Sequence, residues 1–297
     1  MKEAIGVDLG GTAIKMGRFL PDGTCLESIS LTTPQPANPQ PVVKAIAQGV
    51  NQLNRDHTCI AIGLGVPGPT DTARRIAKKS INLPSWDNVP VADWLEAQTG
   101  LPTRLENDAN CAAIGEAWLG AGKQFRDFIL LTLGTGVGGG IFLDGKLFTG
   151  RCGAAGELGL ITLNSDGFPC RSGNQGSLEQ YASIGSVIRN TDKEPAEMGR
   201  LAESADQTAL AFWHNYGKTL GAGLASLIYV LTPEAVIIGG GISASARFFL
   251  PSALKEIERR VVSPSRPGLQ LLTAKLGNKA GMLGAAKLVC DEMKFSE

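Results

Sequence analysis

Two stretches of this chain, IGVDLGGTAIKMGRFLPDG from residue 5 and ILLTLGTGVGGGIFLDG from residue 129, pass through the same events in the same order. Each reads as an apolar strand, a Leu-Gly turn, a returning strand and an Asp-Gly turn, which is a hairpin with a glycine tip. Recurrence of a whole supersecondary unit implies a duplicated architecture. The chain is therefore expected to build two similar α/β halves, one beginning at residue 4 and the other near residue 127.

The segments between fit that plan. Thr24–Leu31 follows the first hairpin as a third strand, and TTPQPANPQP resets the pattern before a helix over 41–54, where Val42, Ile46, Val50 and Leu53 recur at helical spacing. Ala61–Val66 is a buried strand ended by Pro67-Gly68-Pro69. A helix at 90–99 and a strand at 102–106 lead into ENDANCAAIGEAWLGAG, where Asn107 or Asp108 can cap a helix with a small apolar face of Ala109, Ala112, Ala113 and Ala117. The second half closes with a helix at 206–231, the strand AVIIGGG, a helix at 247–260, the strand LQLLTA and a helix at 280–293. The expected domains are 1–122, completed by the C-terminal helix 280–297, and 123–279.

With 297 residues, 43% of them hydrophobic, the chain can bury a core in each half. Lys plus Arg and Asp plus Glu both number 28, so no overall field attracts nucleic acid or an anionic membrane. The six cysteines form no CxxC and MKEAIGVDLGG lacks a secretory pattern, which predicts reduced thiols and a cytoplasmic location. Glycines, Pro233 and Glu234 break the most apolar runs before a spanning length of about 20 residues, so no transmembrane helix is expected.

GTGVGGG matches GxGxxG at Gly134, Gly136 and Gly139, yet IFLDG follows where a dinucleotide site needs a helix, so a Rossmann reading fails. A glycine-tipped hairpin can instead gather backbone N–H groups into an anion cradle. It can equally be a tight turn that needs positive φ. Two such hairpins favour the cradle. DLGGTAIK adds Asp8 at a strand end with Gly10 and Gly11 at the tip, then Thr12 and Lys15 on the return. That set suits a polyphosphate with Mg²⁺, the ion meeting Asp8 through water.

Together these segments resemble the ROK family of sugar kinases, within the actin/hexokinase superfamily, over nearly the whole chain. DLGGTAIK resembles the family's first phosphate motif, GLGVPGPTD its sugar loop, and ENDANCAAIGE its catalytic segment. LGTGVGGG resembles the second phosphate motif, AGELG and LEQYAS sugar-binding segments, and IIGGGIS with AGMLGAAKL nucleotide-side segments. The resemblance implies a two-domain actin-like ATPase (ribonuclease H-like) fold with duplicated mixed sheets flanked by helices. It also implies ATP-dependent phosphorylation of a hexose, with Mg²⁺ as cofactor and a homo-oligomer, dimer or tetramer, as the assembly.

One departure concerns the loop FPCRSGNQGS. Family members carry GExGH and then CxCGxxGCxE, whose histidine and three cysteines hold a structural zinc. Here Leu160 stands at the histidine position and Ser172 and Ser177 at two cysteine positions, leaving Cys170. Zinc needs about four N or S ligands, so no zinc site is expected. The family histidine also touches the sugar, and losing one neutral hydrogen bond costs about 0.5–1.5 kcal/mol. Activity should survive that loss, with sugar preference open.

The resemblance also distributes roles. Asp108 is the expected base for the acceptor hydroxyl, although it could be only a helix cap. Its proximity to a helix N-terminus makes it a weak base, which a loose phosphoryl-transfer transition state tolerates. Asn107 would donate to the sugar, Glu157 and Glu179 would accept from it, and Gly68 would let backbone approach it. Gly134, Thr135 and Gly136 would hold phosphate, with adenosine against Gly240 and Gly241, the whole closing as a cleft between domains. Glucose is the first acceptor; N-acetylmannosamine, fructose and a polyphosphate donor stay open, as does a sugar sensor without turnover. The repressors of the same family place a DNA-binding segment ahead of this core, whereas Asp8 arrives here after seven residues, so no nucleic-acid partner is expected.

Overall fold

The computed structural model describes residues 2–80, Leu83 and residues 85–292. The first half of the chain forms β1 (Glu3–Leu9), β2 (Ala13–Phe19), β3 (Cys25–Thr32), α1 (Pro39–Leu53), β4 (Cys59–Val66), α2 (Val91–Thr99), β5 (Thr103–Asn107) and α3 (Asp108–Leu119). The second forms β6 (Phe128–Leu133), β7 (Val137–Leu143), β8 (Lys146–Leu147), α4 (Glu179–Ala182), α5 (Ile184–Thr191), α6 (Pro195–Glu203), α7 (Gln207–Leu231), β9 (Ala235–Gly239), α8 (Ala246–Arg260), β10 (Gln270–Thr273) and α9 (Ala280–Glu292).

Duplication extends to every strand. One sheet has the order β3-β2-β1-β4-β5 and the other β10-β9-β6-β7-β8, so each strand of the first has a counterpart five strands later. In both, a hairpin strand is antiparallel to its return and parallel to the strand beyond a helical crossover. The tips differ by one residue: Leu9 faces Ile14 in the first, and Leu133 faces Val137 in the second. This is the mixed-sheet α/β architecture expected from the repeat.

The described residues fall into two compact units. One comprises Met1–Lys123, Leu147–Ala155 and Asn278–Glu297, the other Gln124–Lys146 and Gly156–Gly277. In the first, β1 is almost wholly buried, as a strand covered on both faces must be. α1 starts at Pro39, where a missing N–H costs nothing, and buries Val42, Val43, Ile46, Val50 and Leu53. On the other side, α9 lies against β1, β4 and α3. A Cβ on Gly6 would fall on the Met282 carbonyl, one on Gly63 on the Ala285 carbonyl, and one on Gly284 on the Cys111 carbonyl. Backbone therefore packs directly on backbone. α3, expected to have one small apolar face, is buried at Ala109, Asn110, Cys111, Ala112, Ala113, Gly115 and Glu116 because α9 covers what the sheet does not.

In the second unit, α7 and α8 pack through Trp213, Tyr216 and Phe249, whose rings meet at 5.1–5.7 Å. The Tyr216 hydroxyl donates to the Ala182 carbonyl at 2.8 Å and the Trp213 indole to the Met198 carbonyl at 3.2 Å. Both anchor segments of α4 and α6, short helices that the periodicity does not reveal. Among the described residues no helix is long and apolar enough to cross a membrane.

Candidate active site

In the first unit, Asp8 ends β1 opposite Lys15 of β2, so the two side chains share one face. Burial pushes the Asp8 carboxyl up, and the Lys15 charge offsets this only in part. A Cβ at Gly281, in the first turn of α9, would come within 2.9 Å of Asp8 Cγ. Glycine there makes room for the carboxylate. The adjoining tip has its carbonyls taken: Gly10 accepts from Thr33 Oγ1 at 2.7 Å, Gly11 from Gln35 Nε2 at 2.9 Å, and Thr12 from the Thr33 amide at 3.0 Å. Thr12 itself is exposed.

The glycines resolve the choice between turn and cradle in an unexpected way. Neither Gly11 nor Gly134 adopts a positive φ, and a Cβ on either would meet nothing within 4 Å. Gly241 shares both properties. A left-handed turn is thus not why these positions lack a side chain. Gly10 and Gly136 are different: their Cβ atoms would press on the Ala13 carbonyl at 2.9 Å and on Glu179 Oε2 at 2.5 Å. The chemistry on offer is a tip in each unit with open space beside Gly11 or Gly134, the Gly10 and Gly134 amides being held by the Ala13 and Gly136 carbonyls, and in the first unit a carboxylate and a lysine stand beside the tip.

At the β5–α3 junction, Asn107 rather than Asp108 is the cap. Its Oδ1 accepts from the amides of Ala109 and Asn110 at 3.0 and 3.1 Å, and its Nδ2 donates to the Gly68 carbonyl at 3.2 Å. Asn107 thus holds the junction with its Oδ1 and one of its two Nδ2 hydrogens, and its expected donation to a sugar would use the other. Gly68 sits at φ +91°, where a Cβ would stand 3.2 Å from the Lys79 carbonyl and 3.3 Å from Ser80 Cα; its carbonyl holds Asn107. Asp108 opens α3, and its Oδ1 accepts the Ala109 amide at 2.8 Å. Buried Cys111 lies beneath, its thiol pushed well up by burial and by the carboxylates of Glu106, Asp8 and Asp108. Asp8 and Asp108 both lie beside Gly65 of β4, Asp8 as its partner across the sheet and Asp108 with its Cα next to it.

The second unit gathers its predicted residues around the β6–β7 tip. Glu179 Oε2 accepts the Val137 amide at 3.0 Å, and the Gly134 carbonyl accepts from Ile184 at 2.8 Å. Glu179, expected as a sugar ligand, thus also clamps the phosphate motif. Glu157 is open to solvent on one side and walled by protein on the other; burial first, and then the charge of Glu179, push its carboxyl up. Thr135 is exposed at the tip. Gly240 departs from expectation: at φ +80° its missing Cβ leaves room for the Leu133 backbone, not for a ligand. Of that pair only Gly241 is open.

The loop that departs from the family holds itself by hydrogen bonds. Asn174 Nδ2 donates to the Leu160 carbonyl at 2.8 Å, its Oδ1 accepts the Gln175 amide at 2.7 Å, and its carbonyl accepts the Cys170 amide at 2.8 Å. Cys170 is buried, with Sγ 4.0 Å from Glu179 Oε1. Burial raises its thiol, but donation from Ser172 and Ser177 together outweighs this and leaves it below the usual value. Among the described residues, no three His, Cys, Asp or Glu side chains gather as a metal cage would need. Asp8, a single carboxylate across from Lys15, fits an ion that takes its other ligands from water and phosphate oxygens, the usual manner of Mg²⁺.

Two residues of this region carry no expectation from sequence, Glu106 and Arg74. Glu106 is 1% exposed yet charged, which demands partners, and Arg74 is its cation at 3.4 Å. The acidic first residue of ENDAN was the available signal.

Residues 4–292 match the ROK family. A glucokinase of Streptomyces coelicolor is 37% identical over 96% of each chain, and a glucokinase of Thermotoga maritima is 34% identical over the same shares. Among solved structures, a ROK family glucokinase from Streptomyces griseus in complex with glucose and AMPPNP superposes with a TM-score of 0.86 at 36% identity, covering 96% of this chain and 98% of that one.

Proposed function

We propose that this chain, which belongs to the ROK family, is a sugar kinase that transfers the γ-phosphoryl group of ATP to a hexose, with glucose as its first substrate. The observation that carries the reading is the open space at Gly11 and Gly134, unexplained by φ or by packing, on hairpins repeated in the two units. Phosphate oxygens accept from such tips, and Lys15 adds charge compensation. Glucokinases stand among the relatives at 34–37% identity, which supports the choice of acceptor.

Asp108 takes the hydroxyl proton. Its Oδ1 is oriented by the Ala109 amide, so the carboxylate is presented in a fixed direction at the head of α3. What that contact supplies is orientation. Phosphoryl transfer asks for proton removal late, so orientation matters more than basicity. Glu157 accepts sugar hydroxyls, as does the Glu179 oxygen not used on Val137. Mg²⁺, when bound near Asp8 through water, supplies charge compensation for the phosphate oxygens. Gly241 leaves space on the adenosine side. A homo-oligomer is the assembly the family suggests, to be read by light scattering.

ADP release measured across glucose, fructose, N-acetylmannosamine and mannose, with ATP or polyphosphate as donor, tests the reading. Glucose with ATP should turn over best, and Asp108→Ala should lower kcat by about 10²–10⁴-fold. Sugar binding without ADP release would mark a sensor, and full activity in Asp108→Ala would remove the base.

A further inference from the structure

Glu106 immediately precedes the Asn107–Asp108 pair, and its side chain turns back upon the junction. One oxygen, Oε1, accepts both the Asn107 amide and the Asn110 side-chain amide, each at 2.9 Å. The other faces Arg74 Nε at 3.4 Å. Oε1 therefore holds the backbone on the strand side of Asp108 and a side chain one turn into α3. Asn107, pinned at its amide by Glu106, is pinned at its side chain by Gly68. Both restraints act on residues that flank Asp108.

Arg74 is prepared for this contact. Its backbone lies at φ +58°, a conformation that a residue with a side chain adopts only when its surroundings insist. They do so here: the Asp71 carboxylate takes the amides of Arg75 and Ile76 at 2.7 Å, the Arg74 amide donates to the Asp71 carbonyl at 3.0 Å, and the Arg74 carbonyl accepts from Leu105 at 2.9 Å. The guanidinium also pairs with Glu292 of α9, which Arg104 holds from the other side at 3.0 Å. A strained, tightly held arginine beside a buried carboxylate exceeds what capping one helix requires, since Asn107 already caps it.

We propose that Glu106 is a positioning residue for Asp108, with Arg74 holding Glu106 in place. This rests on the reading of Asp108 as the base. Glu106 reaches the reaction only through the β5–α3 junction, so removing it should matter only while Asp108 is present.

The test compares Glu106→Ala in two backgrounds, native and Asp108→Ala, by kcat and KM with circular dichroism as the folding check. Misplacing a catalytic group by about 1 Å costs about 100-fold. Glu106→Ala should therefore lower kcat about 100-fold with KM for ATP unchanged. In the Asp108→Ala background the same change should cost less than about 2-fold, because residues acting as a unit are non-additive. Glu106→Gln, which keeps the Oε1 acceptor and loses charge toward Arg74, should retain kcat within about tenfold. Should Glu106→Ala fail to fold, Glu106→Asp, which withdraws the carboxylate from the Asn107 amide, carries the same comparison. Equal losses in both backgrounds, or a Gln variant as poor as Ala, would overturn the proposal. Full activity in Asp108→Ala alone would instead overturn the base assignment, and the two failures are distinct.

Discussion

A carboxylate at the end of a buried strand works against folding unless something uses it, and Asp8 is one. Its raised pKa means that folding favours the neutral form: the contribution to stability is present at low pH and is lost as pH rises through the folded value. Asp8→Asn removes that loss, so at pH 7 its thermal midpoint should match or exceed that of the native chain. Turnover should meanwhile fall at least about 100-fold, for a loss of several kcal/mol of charge compensation. A lower midpoint with intact turnover would mark Asp8 as structural. Glu157 predicts a pH dependence of sugar binding. Its pKa is raised by burial and by the charge of Glu179, so the ionised acceptor form appears at higher pH than for an ordinary glutamate. KM for the hexose should decrease as that form appears, and Glu157→Gln should flatten the curve. At this scale Asp8 was singled out by its place at a strand end beside a glycine tip and a lysine, and Asp108 and Glu157 by segments that resemble the family's. Glu106 was not, since burial and partners decide its role and neither is written in ENDAN.

At the scale of elements, glycines that look alike in the sequence separate into two kinds. Gly63 of β4 and Gly284 of α9 exist so that backbone can meet backbone. Alanine at either should destabilise the chain by about 1–3 kcal/mol or more, read by urea denaturation. Alanine at Gly11 or Gly134 adds a methyl group to open space, so stability should stay within about 0.5 kcal/mol. KM for ATP should rise; if it does not, the tips do not cradle phosphate. The loop around Cys170 gives a second contrast. Asn174 bonds to the Leu160 carbonyl, to the Gln175 amide and, through its own carbonyl, to the Cys170 amide, so a zinc chelator should leave the thermal midpoint unmoved. Asn174→Ala should lower that midpoint by removing the two side-chain bonds, at about 0.5–1.5 kcal/mol each, while the backbone bond to Cys170 stays.

For the whole molecule, duplication explains why so much of the fold could be anticipated. Each unit repeats a hairpin, a crossover and two parallel strands, and periodicity marks long helices such as α1 and α7 well. Short α4 to α6 escaped because a few turns carry too little periodicity, and their anchors, Tyr216 and Trp213, come from a different helix. Local spacing and residue type sufficed for the two glycine-tipped hairpins and for the order of the motifs, while the carboxylates were pointed to by the resemblance to the family. Tertiary structure decided which glycines face open space and which face a carbonyl, that Asn107 caps while Asp108 is presented, that Gly240 accommodates Leu133, and that Arg74 reaches Glu106 across 32 positions of the chain. These depend on what packs against a residue from elsewhere, and burial acts through neighbours that the chain brings together only on folding.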